Sequence, residues 1–510
     1  MAYMQRPIFY ITTPIYYVND KPHIGHAYST IAADVLARYQ TLRGRVVIFL
    51  TGTDENSQKN VEAAKKAGIE DMTEYLNMQS AIWQRTWDQL NITNTDFIRT
   101  TEPRHKAAVE KFFHAVNAKG DIYKGKYQGY YCGGCEEFKL EGDLIDGKCP
   151  IHLKVVETIE EDNYFFAASK YRDALLAHIE ENPDFIQPSS RRHEVVNYIK
   201  DHFSDVSISR QSLKWGIPLP IDSTHVVYVW FDALINYLTA AGYGRSDELF
   251  ETVWPADLHI VGKDIIKFHC ALWPAMLMAA DLPLPKRVFA NGFFTMNGQK
   301  ISKSLDNAID PLELGKQYGL DAVRYFLLRE IPFGQDGDFS YERLAQRYEA
   351  DLAKGLGNFA SRVVTLAEKA MPLTPNTGSE AEAEIKALVA ESWAKIDAEL
   401  MECRFDDALA TIWALLRWGD RYIEQMKPWA LAKEQPEEFV AVMSLLVELL
   451  RQVSLMVYPV LPETAEIIWQ HLGCHEVHQS QKLEVSQVWR GVIITGLEKL
   501  TPLFPPVSLS

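Results

Sequence analysis

The chain lacks any run of apolar residues approaching the roughly 20 that a bilayer-spanning helix needs. Its apolar opening, Ile8 to Val18, is broken by Pro14 and followed by Asn19-Asp20-Lys21. It reads as a strand and loop, not as a signal peptide. The expected setting is the cytoplasm, with no membrane partner. Cysteine is scarce, with 6 in 510 residues, which is poor ground for a disulfide framework. Positive charge is in deficit: 52 Lys and Arg stand against 68 Asp and Glu, a formal net charge of −16. That excludes nucleic-acid binding by bulk charge. Any RNA contact must come from a local basic or aromatic surface. Internal repeats and low-complexity tracts are also missing.

What is present is the composition of a globular protein too long for a single core, with 47% hydrophobic and 24% charged residues. About three or four domains are expected. Arg6 to Ile11 is a β-branched and aromatic run ending in Thr12-Thr13-Pro14. A helix is expected from Gly25 to Arg43, with Ile31, Val35, Leu36, Tyr39 and Leu42 on one side and Gly44 closing it. Val46 to Leu50 then reads as a strand buried on both faces. This succession opens an α/β doubly wound parallel sheet, which binds ligands beyond the carboxyl ends of its strands. His23, His26 and Asp54 fall at that edge.

The pattern degrades between Lys119 and Trp215, as an inserted domain would make it do. Strand signals return at His225 to Trp230 and at Leu258 to Val261, and Val288 to Phe294 is another apolar run. From Tyr341 to His471 the text is helical, with one loop at Pro372 to Glu380. Spacings such as Leu409, Ile412, Trp413 and Leu416 mark a helix bundle. The stretch with Pro502, Pro505 and Pro506 has no assignment. The expected division is a Rossmann-like catalytic domain at 1–118 and 216–285, interrupted by an insertion at 119–215. A lysine-loop region at 286–345 follows, then an all-α bundle with a tail at 346–510.

Three constellations carry chemistry. His23-Ile24-Gly25-His26 puts two imidazoles on one face of a helix start, where free N–H groups and the helix dipole favour an anion. Gly25 removes a side chain, so a nucleotide can lie against the backbone. Alone, the motif is equally two helix-start histidines with no ligand. Lys300-Ile301-Ser302-Lys303-Ser304 follows Gly298 on a Ser-rich loop, where lysines can swing onto a leaving pyrophosphate. Alone, it is equally a solvated surface loop. Cys132-Gly-Gly-Cys135 with Cys149-Pro-Ile-His152 has the spacing of a four-ligand tetrahedral zinc site. Four protein ligands leave no open position, so one structural zinc is expected.

With both motifs in this order, the text resembles the class I methionyl-tRNA synthetases over nearly its whole length. The carrying stretches are Ile11 to Asn19 (ITTPIYYVN), Thr51 to Glu55 (TGTDE), Tyr228 to Ala233 (YVWFDA) and Val261 to Ile265 (VGKDI). The resemblance implies a Rossmann-like parallel sheet, an inserted zinc-bearing domain and an anticodon-binding helix bundle. It implies that ATP, with magnesium, and L-methionine form an adenylate whose methionyl group passes to tRNA(Met). His23, Gly25, His26, Gly262, Asp264, Lys300 and Lys303 match ATP-site positions, and Arg210 an arginine near the reacting groups. Ile15, Tyr17, Trp230, Ala233, Leu234, Tyr237, Ile265, His269 and Trp273 match the methionine pocket, with Asp54 on the ammonium. By residue spacing alone, the stripes Trp230/Ala233/Leu234/Tyr237 and Ile265/His269/Trp273 read as plain core, and the resemblance reverses that reading.

Asn358, Arg362, Pro428 and Trp429 match the anticodon readers. Pro428 should start a helix that presents the Trp429 ring for stacking. The sequence shows one knuckle rather than two, and the lack of an added C-terminal oligonucleotide-binding domain implies a monomer. Asn56-Ser57 departs from the family, which usually reads His-Gly there, and Ile301 and Leu234 stand where methionine and proline are common. Two rivals stay open: a synthetase for another apolar amino acid, and a zinc-bearing RNA-binding paralogue.

Overall fold

Gly52, in the second strand, has no room for a side chain: a Cβ would lie 2.1 Å from the Ile98 carbonyl oxygen. That close approach sets the edge of a six-stranded sheet. Its spatial order is Asp96–Arg99, Val46–Asp54, Ile8–Tyr17, Leu258–Gly262, Val288–Asn291 and Ile186–Gln187. Parallel registers include Gly52 opposite Ile98, Ile11 opposite Leu258, Ile260 opposite Phe289 and Val288 opposite Ile186. This is the parallel α/β sheet expected. The computed structural model describes residues 6–133, 137–139, 141–150, 154–296, 298–301, 307–373, 379–474, 482–483, 487–489, 497 and 500–507. They divide into two compact units, one of residues 8–22 and 47–291, the other of residues 1–7, 23–46 and 292–510.

In the sheet-bearing unit the first strand extends to Tyr17, past Pro14. Its register with Leu258–Gly262 runs through Ile11 and Thr12, so the missing Pro14 N–H falls beyond that pairing. The second strand also runs further than its apolar run, through buried Thr51, Thr53 and Asp54. The expected strand at His225 to Trp230 is corrected. The strand is Asp222–Val227, and Val229–Leu234 is a helix with Tyr228 as its N-cap. The inserted region builds an antiparallel sheet in the order Glu137–Lys139, Ile122–Cys132, Glu157–Phe166 and Val206–Ser207. It also returns Ile186–Gln187 to the edge of the main sheet. Phe112, Phe113, Phe231 and Trp273 lie in the buried core of this unit.

In the other unit, helix Ile24–Leu42 is buried along most of its length. Arg324 and Asp34 form an ion pair at 2.6 Å, and Arg38 joins Asp34 at 2.8 Å. Arg324 also donates to the carbonyls of Val460 (2.9 Å) and Pro459 (3.0 Å), so the buried charges are surrounded by partners. Phe294–Met296 pairs with Gln299–Lys300 and Gly337–Asp338. The apolar run from Val288 therefore breaks after Asn291. At Gly292 a Cβ would meet the Gln335 carbonyl at 2.0 Å.

The bundle contains Glu380–Met401, Phe405–Met426, Pro428–Glu434, Pro436–Val457 and Pro462–His471. Leu409, Ile412, Trp413 and Leu416 are buried as their spacing predicts. The helix Pro436–Val457 is long and apolar enough to cross a membrane by composition, which qualifies the sequence expectation. Its most apolar window is 89% buried, as for the core helix of a bundle. The unassigned proline-rich stretch packs Phe504 against the Tyr348 ring at 6.0 Å, and Tyr348 donates to the Pro505 carbonyl at 2.7 Å.

Candidate active site

Of the two expected pocket segments, the one at Ile265 leaves the strand end Gly262 of the parallel sheet, whereas the one at Trp230 follows Asp222–Val227, a strand of a separate antiparallel sheet. The stripe Trp230, Ala233, Leu234, Tyr237 is not one helix. The chain tightens at Ile235 between helices Val229–Leu234 and Asn236–Ala240, with Asn236 Nδ2 donating to the Ala233 carbonyl at 2.6 Å. Tyr237 is still brought fully inside. The second stripe is not a regular helix either. A short 3₁₀ turn at Lys263–Ile265 is followed by a π turn at Phe268–Leu272 and then by helix Trp273–Ala279. Single π turns of this kind often mark functional positions.

Polar bonds lock these rings. His269 Nδ1 faces the Ile265 carbonyl at 3.0 Å and must donate to it, so Nε2 accepts from the Tyr237 hydroxyl at 2.7 Å. Burial holds the His269 ring down at about 4, with the Ile265 bond and Asp264 opposing only in part. The ring is neutral at physiological pH. Tyr237 also lies tilted against His259 (centroids 4.3 Å apart), which burial likewise keeps neutral. Trp230 lies flat on Phe268, with centroids 3.8 Å apart and planes 4° apart. Trp230 Nε1, Trp273 Nε1 and His259 Nε2 are buried without a partner among the described residues. Buried polar atoms normally have one, so three such atoms mark the region as built for more than packing.

Of the remaining expected wall residues, Ile15, Ile265 and Tyr17 are half-buried, and Lys59 Nζ stands 4.5 Å from the Tyr17 ring centroid. Ala233 and Leu234 are buried, Gly262 half-buried and Asp264 exposed. Asp54 ends its strand, 4% exposed, and accepts from the Asn56 N–H at 3.3 Å. Its carboxylate is the anionic group at this strand end. Neighbouring Glu55 is committed elsewhere: its carboxylate takes Arg99 Nε at 2.6 Å and the Thr101 hydroxyl. Sequence reasoning missed Phe268, His259 and a buried polar chain of Asn56, Asp232 and His105. A carboxylate inside the apolar run Val229 to Leu234 was the available signal for Asp232. Nothing local marked His105.

In the other unit, His23 and His26 form a reciprocal helix cap. His23 Nδ1 accepts from the Gly25 N–H at 3.1 Å, and His26 Nδ1 accepts from the His23 N–H at 3.2 Å. With Nδ1 accepting in both rings, the neutral tautomer carries its proton on Nε2. The rings stack at 3.8 Å. Gly25 has a role beyond that expected: a Cβ there would meet His23 Cε1 at 2.9 Å. The glycine makes room for the His23 ring. Lys300 ends the strand Gln299–Lys300, beside buried Ile301, while Lys303 lies outside the described residues.

Arg210 is 4% exposed on strand Ser209–Arg210, with Nε 3.2 Å from Glu161 and its guanidinium 4.3 Å from the Tyr131 ring centroid. Cys132 and Cys149 are both buried, Cys132 at the end of a strand and Cys149 with its N–H on the Lys154 carbonyl at 2.9 Å. Two buried thiols on tight backbone fit thiolate ligation. Cys135 and His152 lie outside the described residues, and among the described residues no cluster of three metal-ligating side chains occurs. Trp429 is 46% exposed on the first turn of Pro428–Glu434, as expected, after Lys427 in the left-handed region (φ 48°). Asn358 is exposed. Arg362 is held by Asp420 at 3.2 Å and Glu424 at 2.5 Å.

These sites stand beside clear relatives. A family model described as class I tRNA synthetases (M) matches residues 9–159 and 139–364, and one for the anticodon-binding domain of methionyl tRNA ligase matches 372–499. The methionine–tRNA ligase of Streptomyces coelicolor is 44% identical over 484 residues, 91% of this chain and 89% of that relative. The Thermotoga maritima enzyme is 46% identical, over 93% of this chain and 77% of that one. The structure of Mycobacterium tuberculosis methionyl-tRNA synthetase with methionyl-adenylate superposes with a TM-score of 0.93 at 40% identity, covering 98% of this chain and 100% of that one. The chain belongs to the class I methionyl-tRNA synthetase family.

Proposed function

We propose that the chain is a methionine–tRNA ligase working through the residues assigned above. Methionine's carboxylate attacks the α-phosphorus of ATP, pyrophosphate leaves, and a hydroxyl of the terminal adenosine of tRNA(Met) then takes the methionyl group from the adenylate. One observation carries the choice of amino acid. A buried set of aromatic rings with a neutral His269 shares its unit with the strand-end carboxylate of Asp54, and Asn56 bonds to both Asp54 and Asp232 of the Val229–Leu234 segment. Aromatic rings favour a thioether by roughly 0.3–1.5 kcal/mol per contact, and Asp54 supplies the charge for the ammonium. An apolar pocket rejects a missing methylene by only about 1–3 kcal/mol, so homocysteine is activated at a low level and leaves as its thiolactone.

His23 and His26 donate Nε2–H to the phosphates, where charge develops in the transition state. Lys300, Lys303 and Arg210 neutralise the same charge. Magnesium, when bound to ATP, screens the phosphate oxygens. Gly262 and Asp264 face the rest of the nucleotide. No side-chain nucleophile is needed, because substrate supplies the attacking oxygen and catalysis is positioning and charge stabilisation. Cys132, Cys135, Cys149 and His152 hold one structural zinc. Asn358, Arg362, Pro428 and Trp429 read the anticodon, with Trp429 exposed for stacking. The enzyme acts as a cytoplasmic monomer.

ATP–pyrophosphate exchange tested across amino acids decides this. Methionine should support it. Exchange with leucine or valine but not methionine overturns the substrate, and tRNA binding without any exchange leaves an RNA-binding paralogue.

A further inference from the structure

Asn56 is where this chain departs from its family's usual text, and the structure gives it three bonds. Its N–H donates to Asp54 Oδ1 at 3.3 Å. Its side-chain Nδ2 donates to Asp232 Oδ2 at 2.8 Å and to the Thr100 carbonyl at 3.3 Å. The two side-chain bonds fix the plane of the peptide whose N–H holds the Asp54 carboxylate. The backbone on either side is pinned as well. Glu55 N–H donates to Thr100 Oγ1 at 2.8 Å, and Asn60 Nδ2 donates to the Asp54 carbonyl at 2.9 Å.

Asp232 is itself fixed. His105 Nε2 lies 2.9 Å from Asp232 Oδ1, and His105 Nδ1 lies 3.1 Å from Thr239 Oγ1. The carboxylate can only accept, so the ring donates to it from Nε2. Asp232 and His105 are fully buried, and Asn56 is 6% exposed. Asp232 immediately precedes Ala233 and Leu234, two of the assigned pocket walls. Asn56 therefore ties the strand end carrying Asp54 to the segment lining the pocket.

We propose that Asn56 is the positioning residue that aims the Asp54 carboxylate at the ammonium of methionine. This rests on the reading of Asp54 as the ammonium anchor. Losing the amide leaves a buried Asp232 oxygen one donor short and removes one hold on the 55–56 peptide, whose Glu55 carbonyl also accepts from Trp215 Nε1 at 2.9 Å, so the carboxylate is aimed less tightly. Ser57 acts separately, its hydroxyl capping helix Gln58–Lys66 by accepting from the Lys59 N–H at 3.1 Å.

The test uses the full-length enzyme and two inhibitors of pyrophosphate exchange. L-Methioninol keeps the ammonium and thioether but lacks the carboxylate. 4-(Methylthio)butanoate keeps the carboxylate and thioether but lacks the ammonium. In Asn56→Ala, the methionine KM and the methioninol Ki should both rise about tenfold or more. The KM for ATP and the Ki for 4-(methylthio)butanoate should stay within about twofold. Asn56→Ser is read in the same way and stands in if the alanine variant does not fold. A ratio of two inhibition constants is insensitive to the active fraction of enzyme. An equal change for both inhibitors, or none for either, overturns the proposal. Asp54→Asn run in parallel separates the two claims. If it leaves methioninol binding intact, the ammonium assignment itself falls. If it weakens methioninol while Asn56→Ala does not, only the role of Asn56 falls.

Discussion

The proposed amino-acid pocket and the histidine cap are built in opposite ways. The pocket is made of rings from separate segments, locked by bonds that cross the sequence, such as Tyr237 to His269 at 2.7 Å. The cap is made inside four consecutive residues, and its rings accept from backbone N–H groups. Recognition of an uncharged thioether has only shape and polarisability to use, so its walls must be fixed by packing. Holding a phosphate needs donors at a helix start, which a local motif supplies unaided. Burial keeps His269 uncharged, whereas the half-buried His23 and His26 have their donor position set by the cap.

The largest effect expected of breaking this contrast is at the cap. His26→Ala should lower kcat in pyrophosphate exchange by about 10²–10³-fold, the cost of one transition-state donor, while the methionine KM stays put. Steady-state exchange kinetics check it, and a methionine KM rising in step would erase the contrast.

The next effect is on stability. The folded chain holds His269 at about 4 against an ordinary 6.5. On acidification the unfolded chain takes up its proton first, so this contribution is complete above about 6.5 and declines as pH falls towards about 4. The loss is on the order of 3 kcal/mol. Denaturant titrations between pH 7 and 4 should show it, and His269→Gln should flatten the curve, leaving the part due to His259. An unchanged slope in that variant would assign the acid sensitivity elsewhere.

The smallest effect sharpens the pocket. Tyr237→Phe leaves His269 Nε2 buried without its donor and should raise the methionine KM about tenfold, with the ATP KM unchanged. Exchange measured at varied methionine and ATP distinguishes this from a general loss of activity.

The two regions were unequally legible. His23 and His26 were readable as a helix start because the cap lies within the reach of one turn, and the structure starts the helix at Ile24. Trp429 at the start of its helix was readable for the same reason, since Pro428 fits a first turn. The stripes at Trp230 and Ile265 held mostly buried residues, with Trp230 and Ile265 themselves half-buried, but implied the wrong local geometry. An even i, i+4 spacing does not disclose a break at Ile235 or a π turn at Phe268. The polar chain behind Asp54 was invisible. Asn56 and Asp232 are 176 residues apart, and His105 and Asp232 are 127 apart.

The sequence by itself determined the α/β sheet, the helix bundle, the family and the order of the motifs, because periodicity, caps and short motifs are properties of neighbouring residues. Only the tertiary structure decided why Gly25 is needed beside His23, which rings stack, and what Asn56 does. Those depend on backbone close approach and on hydrogen bonds between segments far apart in the chain, and no local pattern encodes which donor a buried carboxylate will meet.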